Sequence, residues 1–137
     1  MPIPGDWPLL LCDGGSRGNP GTAAIAALLI ELDGSIGAQR AELIGHATAA
    51  EAEYRAILLG LELAHAAGVA TVEVRCDSQL AVAALRSRTP VADELAPTVA
   101  ALRESASRLT SVRYAWHPRT ENELADTLVR DLLWPKT

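Results

Sequence analysis

The order of apolar and polar residues along the 137-residue chain changes its period several times, and each period is typical of one kind of element. Alternating or short continuous apolar runs bounded by turn residues predict strands, whereas apolar residues spaced three and four apart predict helices. We therefore predict five strands and four helices in the order βββαβααβα. The strands are expected at residues 9–13, 22–32, 37–48, 71–76 and 111–117, and the helices at 49–67, 78–86, 90–109 and 122–133.

Turn-forming residues decide the ambiguous boundaries between these elements. Residues 22–32 are largely apolar and would fit a helix or a strand, but Pro20-Gly21 precedes them and Asp33-Gly34 follows. Asp-Gly between two apolar runs is a strong hairpin signal, so we interpret residues 22–32 as a strand. Residues 14–21 are rich in glycine and are predicted to form a turn. Pro97 is a candidate break in the third helix.

Composition and element order indicate one compact α/β domain over residues 1–137. Hydrophobic residues make up 49 % of the chain, and the absence of Phe leaves Ala, Leu, Val and Ile to build the core. The longest apolar run, residues 23–30, is too short to cross a bilayer, and no signal peptide is visible. We therefore expect a cytoplasmic protein without a membrane partner, and we expect it to be a monomer.

Charge and cysteine content narrow the chemistry further. The formal net charge of −5 argues against a protein that coats nucleic acid by bulk attraction, although it does not exclude a nuclease with bound metal and local positive charge. Cys12 and Cys76 lack the spacing of a metal site. We interpret both as small buried residues in a reducing cytoplasm, since a disulfide would require their strands to be adjacent.

Four acidic residues lie at predicted strand ends or one turn into predicted helices. Asp13 ends the first strand and Asp77 follows the fourth, while Glu53 lies in the first helix and Asp126 in the last. The carboxyl ends of parallel strands meet at one edge of a sheet, and helix starts packed over that edge would bring the other two acids there. Carboxylates at such range need cations to stay ionised, and oxygen donors suit Mg²⁺ or Mn²⁺. The pattern predicts two such ions and phosphoryl-transfer chemistry on nucleic acid.

Each acid taken alone has an ordinary structural explanation. Asp13 before two glycines could form a turn, Asp77 could cap a helix, and Asp126 could be a solvated helix residue. Glu51 also competes with Glu53 for one role, because the two glutamates are two residues apart and face different ways on a helix.

Four motifs in a fixed order strengthen the nuclease prediction. They are Asp13-Gly14-Gly15-Ser16-Arg17-Gly18-Asn19-Pro20-Gly21, Ala52-Glu53-Tyr54-Arg55-Ala56, Asp77-Ser78-Gln79-Leu80 and Asn122-Glu123-Leu124-Ala125-Asp126. With these motifs the chain resembles, over residues 9–133, the type 1 ribonuclease H domain and the related reverse-transcriptase-like group. The resemblance implies an α/β fold with a five-stranded mixed sheet and helices on both faces. It also implies a metal-dependent endoribonuclease that cleaves the RNA strand of RNA–DNA hybrids and leaves 5′-phosphate and 3′-hydroxyl ends.

The resemblance also implies roles for individual residues. The metal-binding catalytic acids, for two Mg²⁺ or Mn²⁺ ions, are Asp13, Glu53, Asp77 and Asp126. Glu53 is favoured over Glu51 because it precedes the Tyr-Arg-Ala of its motif. His117 is the candidate for a loop histidine that helps the product phosphate leave. The expected substrate contacts are Gly14, Ser16, Asn19, Thr48 and Gln79. Small residues at positions 14–19 suit the approach of backbone amides to the shallow minor groove, where the 2′-hydroxyl is sensed.

Three departures from the family pattern affect the substrate rather than the acids. Thr48-Ala49-Ala50 lacks the two Asn side chains that many members have there, and residues 86–92 lack the basic, Trp-containing protrusion of bacterial forms. The loop at residues 118–121 is shorter than in histidine-bearing forms. We therefore expect weak substrate binding and consider double-stranded RNA a further substrate. The alternative is a non-catalytic nucleic-acid-binding module of the same fold. Trp116 and Trp134 are predicted to pack in the core and tail rather than stack on bases.

Overall fold

The computed structural model describes residues 2–136 and contains the predicted order of elements, βββαβααβα. The strands are β1 (Leu9–Arg17), β2 (Gly21–Ile30), β3 (Ile36–Ala47), β4 (Thr71–Cys76) and β5 (Ser111–Trp116). The helices are α1 (Ala49–Ala66), α2 (Gln79–Ser87), α3 (Ala96–Ser107) and α4 (Glu123–Leu133). Short 3₁₀ turns at Asp93–Leu95 and Arg119–Glu121 precede α3 and α4. Among the residues described, none of the helices combines the length and the apolar character that a membrane crossing requires.

The five strands form one mixed sheet in the order β3-β2-β1-β4-β5. β1, β2 and β3 form an antiparallel meander, whereas β4 is parallel to β1 and β5 is parallel to β4. Leu11 pairs with Arg75, so Asp13 and Asp77 each follow the last pair of the β1–β4 ladder by two positions. The parallel pairing therefore brings both acids to the same edge of the sheet.

Alternate side chains of the sheet enter two separate apolar cores. Leu10 and Cys12 of β1 belong to the core that also contains residues of α1, α2 and α3, whereas Leu9 and Leu11 pack with residues of α4. Gly60 allows α1 to lie close to the sheet, because a Cβ there would be 2.9 Å from the Sγ atom of Cys12. The α/β fold with helices on both faces of a five-stranded mixed sheet is confirmed.

Cys12 and Cys76 are free thiols on neighbouring strands, and both are buried. Each follows directly after one member of the Leu11–Arg75 pair of the β1–β4 ladder. Burial raises the pKa of both thiols, that of Cys76 to about 12. The thiols are therefore protonated, and the prediction of small buried core residues is confirmed.

β1 extends beyond its predicted end at Asp13 and continues to Arg17. Residues 14–17, which the glycine pattern assigned to a turn, pair with residues 22–25 of β2. The glycine at position 14 allows two backbones to approach, since a Cβ there would overlap the carbonyl group of Ala52 in α1. The turn prediction was wrong because glycine suits a tight turn and a close backbone contact equally well.

α3 begins at Ala96 rather than at residue 90. The intervening residues include the 3₁₀ turn at Asp93–Leu95. Pro97 lies in the first turn of α3, where the missing N–H group of proline has no helical partner to lose. Pro97 therefore marks the start of a helix instead of a break within one.

Candidate active site

The four acids identified in the sequence line a single cavity of about 570 Å³. Asp13 comes from β1 and Asp77 directly follows β4, whereas Glu53 comes from α1 and Asp126 from α4. The same cavity is also lined by Gly14, Ser16, Arg119, Arg130 and Trp134. Carboxylates that are distant along the chain are thus brought to one surface by the sheet edge and two helix starts.

Asp13 is buried, with 7 % of its surface exposed. Burial raises its pKa, and repulsion from Asp77 and Asp126 raises it further, to about 8. Glu53 acts in the same direction, and Arg119 acts in the opposite one. The cluster is therefore short of positive charge, and a cation bound among these carboxylates would favour their ionised forms.

Glu53, and not Glu51, faces the cavity. Burial raises the pKa of Glu53, a hydrogen bond from Ser78 lowers it, and Asp77 raises it. Ser78 is held in position because its Oγ atom also caps the N-terminus of α2. Glu51 instead accepts a hydrogen bond from Thr98 Oγ1 in α3 at 2.8 Å. The packing of α1 against α3 thus directs Glu51 away from the cavity and leaves Glu53 as the glutamate that lines it.

Asn122 connects the start of α4 to the strand that contains Asp13. Its side chain is buried, and its Nδ2 atom donates to the carbonyl oxygen of Cys12 at 2.9 Å. Its own carbonyl oxygen accepts the backbone N–H of Asp126 at 3.1 Å. Asn122 therefore fixes where Asp126 stands relative to Asp13 without contacting either carboxylate.

Arg119 is a site residue that the sequence motifs did not identify. Its Nε atom lies 3.4 Å from Asp77 Oδ2 and 3.8 Å from Asp126 Oδ1. The hydrogen bond to Asp77 raises the pKa of its guanidinium. Arg130, one turn after Asp126, places its Nη1 atom 3.4 Å from Asp126 Oδ2. The sequence signal for Arg119 is its place in the loop between β5 and α4, two residues after His117.

His117 lies outside this arrangement. Its Nδ1 atom is 3.5 Å from Glu121 Oε1, and its side chain lines a second cavity together with Arg75 and Thr120. The structure therefore does not bring His117 together with the four acids. Arg119, from the same loop, is the cation that reaches them.

Metal ligation would require the carboxylates to turn toward one another. Within residues 2–136, no three carboxylate, thiolate or imidazole groups are arranged so that they could hold an ion. Asp77 and Asp126 are paired with Arg119 and Arg130 instead. The cavity nevertheless offers suitable ligand atoms for these ions, because four carboxylates line it and Mg²⁺ and Mn²⁺ prefer oxygen ligands.

Three of the five predicted substrate contacts lie at or beside the cavity. Gly14 and Ser16 line it. Gln79 is exposed in the first turn of α2, two residues after Asp77. The Oγ atom of Ser16 is buried and has no hydrogen-bond partner among residues 2–136. Gly14 and Ser16 thus belong to the same surface as the acids.

The other two predicted contacts, Asn19 and Thr48, hold the start of α1. The Oδ1 atom of Asn19 accepts the backbone N–H of Ala49 at 3.0 Å. The Oγ1 atom of Thr48 accepts the backbone N–H of Glu51 at 3.1 Å and caps the helix. Both side chains therefore have a structural role near the cavity, because they attach the β1–β2 turn and the end of β3 to the helix that contains Glu53.

Two tryptophans that were predicted to pack in the core and tail are exposed. The exposed fraction is 43 % for Trp116 and 56 % for Trp134. Trp116 donates its Nε1–H to the carbonyl oxygen of Asp77 at 3.2 Å, and Trp134 lines the cavity of the acids. The packing prediction was wrong because both residues stand at the end of an element, where the neighbouring layer no longer covers them.

Known proteins are similar to this chain over nearly all of its secondary structure. A model of a family described as reverse transcriptase-like matches residues 11–132. Ribonuclease HI of Halobacterium salinarum is 39 % identical over an alignment of 125 positions that covers 88 % of this chain. The N-terminal RNase H domain of a Mycobacterium tuberculosis protein, solved as a fusion with maltose-binding protein, is 35 % identical, with a TM-score of 0.88 and 92 % of each chain covered. LC11-RNase H1, isolated from compost, was solved in complex with an RNA/DNA hybrid and is 29 % identical to this chain. The two structures have a TM-score of 0.84, and the match covers 90 % of this chain and 94 % of LC11-RNase H1.

The chain spans only part of the curated relatives that it matches. It covers 61 % of the Halobacterium protein and 34 % of the related Mycobacterium proteins. The solved RNase H domain from Mycobacterium tuberculosis, by contrast, is covered over 92 % of its length. All four acids and Arg119 fall within the matched residues 11–132, whereas Trp134 follows them.

Proposed function

Because the chain belongs to the reverse-transcriptase-like family and has ribonuclease H1 enzymes among its relatives, we propose that it is a metal-dependent endoribonuclease. It hydrolyses the RNA strand of RNA–DNA hybrids and leaves 5′-phosphate and 3′-hydroxyl ends. The observation that supports this most is the single cavity lined by Asp13, Glu53, Asp77 and Asp126. A module that only bound nucleic acid would gain nothing from adjacent carboxylates, because they repel phosphate.

The four acids are proposed to hold two Mg²⁺ or Mn²⁺ ions. Bound divalent ions supply an activated water at neutral pH and stabilise the charge on the leaving oxygen. The raised pKa of Asp13, about 8, supports this role, because it reflects burial first and then repulsion from Asp77 and Asp126, which Arg119 only partly offsets. Asn122 and Ser78 position the acids, since one joins α4 to β1 and the other donates a hydrogen bond to Glu53.

Arg119 is proposed to act on the product phosphate in the place of the predicted His117. Its guanidinium lies on an exposed loop and approaches both Asp77 and Asp126. A phosphate held over these acids would therefore lie within reach of its N–H groups, and guanidinium binds phosphate well. His117 pairs with Glu121 and lines the other cavity.

Selection of RNA is proposed to depend on the β1 segment that lines the cavity. Gly14 has no side chain, and Ser16 has a small one with a hydroxyl that lacks a partner among the described residues. The small residues of this surface let the backbone approach the shallow minor groove, where the 2′-hydroxyl distinguishes RNA from DNA. Gln79 is proposed to contact the hybrid from the adjacent helix start.

A cytoplasmic location is proposed from the state of the cysteines. Cys12 and Cys76 are free thiols, although they lie side by side on neighbouring parallel strands. A reducing compartment maintains thiols in this state. Fractionation of cells that express the protein tests this location.

The decisive test is cleavage of a labelled RNA–DNA hybrid in the presence of Mg²⁺ or Mn²⁺. Asp77→Asn is expected to lower kcat about 10³-fold, because metal ligation contributes several kcal/mol to such reactions. Glu51→Gln is the matched control, since Glu51 accepts a hydrogen bond from Thr98 and does not line the cavity. Circular dichroism establishes that both variants are folded. Binding without turnover by the wild-type protein, or undiminished cleavage by Asp77→Asn, would overturn the proposal.

A further inference from the structure

Three residues of α4 and its C-terminal end line the cavity at four-residue intervals. They are Asp126, Arg130 and Trp134. Asp126 and Arg130 are one turn apart on one face of α4, about 6 Å along its axis, and Trp134 directly follows the helix and lines the same cavity. The acids are therefore followed along one wall by a cationic side chain and then by an indole. We call Arg130 and Trp134 the α4 stripe.

The α4 stripe is held in place against the end of β1. Arg17 Nη1 donates to the carbonyl oxygen of Leu133 at 2.8 Å. The backbone N–H of Trp134 donates to the carbonyl oxygen of Arg130, also at 2.8 Å. A Cβ on Gly15 would be 3.9 Å from Leu133, so α4 packs directly on the strand. Trp134 is thus the end of an anchored helix and not part of a loose tail.

Both side chains of the stripe are exposed although they adjoin a buried cluster of acids. The exposed fraction is 68 % for the Arg130 side chain and 56 % for Trp134. One nitrogen of Arg130 pairs with Asp126, and the rest of its guanidinium faces solvent. A guanidinium beside a flat apolar ring is suited to a sugar–phosphate backbone, because the first binds phosphate and the second packs on the sugar.

We propose that the α4 stripe binds the RNA strand next to the scissile position, with Arg130 on the adjacent phosphate and Trp134 on the ribose beyond it. The inference rests on the proposed function, since it takes the four acids to mark the scissile phosphate. The strand is the RNA strand because the stripe continues the line of acids that act on it. The bases remain paired, so the stripe contacts the sugar and phosphate edge of the wide minor groove.

The stripe also explains how an acidic chain holds a polyanion. The formal net charge is −5, so bulk attraction to nucleic acid is unfavourable. Arg119 and Arg130 place two positive charges at the rim of the acidic cavity, where a phosphate would contact them. Trp134 adds apolar contact that does not depend on charge, at a position beyond the residues that match the family model.

Steady-state cleavage of a hybrid by three variants tests the role of Trp134. Trp134→Ala and Trp134→Leu are expected to raise KM about three- to tenfold, because both lose the flat ring that packs on the sugar. Trp134→Phe should stay within about twofold of wild type, since a flat ring is retained. Trp134→Leu preserves apolar packing if Trp134→Ala is unstable. An unchanged KM in both non-aromatic variants, or an equal rise in Trp134→Phe, would overturn this part of the proposal.

The salt dependence of binding tests the role of Arg130. In an Asp77→Asn background without divalent metal, where no turnover is expected, Arg130→Gln should lower the slope of log K against log salt by about one, as expected for one lost phosphate contact. Arg108→Gln is the matched control, because Arg108 also pairs with an acid one turn earlier, Glu104 at 3.7 Å, but does not line the cavity. Equal slopes for Arg130→Gln and Arg108→Gln would exclude a phosphate contact by Arg130.

Failure of the stripe and failure of the proposed function give different results. If wild type cleaves the hybrid but the Trp134 and Arg130 variants match it in KM and salt slope, the stripe alone is wrong. If wild type cleaves no hybrid, the proposed function is wrong, and the salt slopes still decide whether Arg130 binds nucleic acid. Quenching of tryptophan emission on hybrid binding, measured in a Trp116→Phe background and lost when Trp134→Phe is added, gives a further readout that does not need turnover.

Discussion

Asp13 is a buried carboxyl group that faces three other acids. Its pKa is raised from 3.8 to about 8, first by burial and then by Asp77 and Asp126. A carboxyl group with a raised pKa binds its proton more tightly in the folded protein than in the unfolded chain. Ionisation of Asp13 therefore does not lower the free energy of unfolding below a pH of about 4, and it lowers that free energy by its full amount above a pH of about 8. In this window the stability of the metal-free protein falls as pH rises.

Asp13→Asn is expected to remove this loss of stability. Thermal unfolding without metal should show wild type losing stability between pH 4 and pH 8, while the variant changes less and is the more stable of the two at pH 8. Added Mg²⁺ should stabilise wild type more than the variant, because ligand binding to the folded state stabilises it. Asp131→Asn, an exposed acid of α4, is the control. A pH profile of Asp13→Asn that parallels wild type would contradict this explanation.

The loop between β5 and α4 is the element in which a local sequence pattern and the packing disagree. It contains His117 and Arg119, two candidates for contact with the product phosphate that are two residues apart. The 3₁₀ turn at Arg119–Glu121 directs Arg119 to Asp77 and Asp126, whereas His117 pairs with Glu121. The conformation of the loop, rather than the residue type, thus determines which cation reaches the acids.

Alanine substitutions in this loop separate the two candidates. Arg119→Ala should lower kcat about 10- to 100-fold, the effect of losing one hydrogen bond to a charged group. His117→Ala should leave kcat within about twofold of wild type, because its side chain lines the other cavity. Steady-state and single-turnover cleavage of the same hybrid give the measurement, and Arg119→Lys shows how much positive charge alone restores. A larger loss in His117→Ala than in Arg119→Ala would reverse the assignment.

At the scale of the whole molecule, the chain offers little positive charge to the proposed nucleic-acid substrate. The chain has a formal net charge of −5, and the connection from α2 to α3 contains no basic helix. The start of α1 lacks side-chain amides at residues 49 and 50. If the chain binds a hybrid as proposed, fewer contacts to its sugars and phosphates should weaken binding and reduce discrimination between DNA and RNA in the second strand.

Cleavage of three duplexes of the same sequence tests this consequence. We expect an RNA–DNA hybrid to be cleaved fastest, double-stranded RNA to be cleaved more slowly and double-stranded DNA not to be cleaved, because the 2′-hydroxyl is required at the cut strand. KM for the hybrid should rise steeply with salt, as binding rests on few phosphate contacts. Cleavage of the DNA duplex at a rate close to that of the hybrid would contradict selection for RNA.

Local pattern was sufficient for most of the fold. Strand and helix periods depend on residues two to four apart, so the order βββαβααβα could be predicted without knowing how the elements pack. Asp33-Gly34 placed the hairpin between β2 and β3 for the same reason. The four acids could also be identified, because each lies in a specific motif on or next to a predicted strand or helix start, although Asp13 lies within β1 and not at its end.

Contacts between distant segments decided the remainder. The extension of β1 to Arg17 depends on pairing with β2, and the late start of α3 depends on the 3₁₀ turn before it. Arg119 and Trp134 were missed because the residues that they face lie elsewhere in the chain, and no local period reports such neighbours. The amino-acid sequence thus determined the elements and the acids. Only the tertiary structure decided which side chains meet around the cavity, because the burial and the charged neighbours of each side chain there depend on segments that are far apart in the chain.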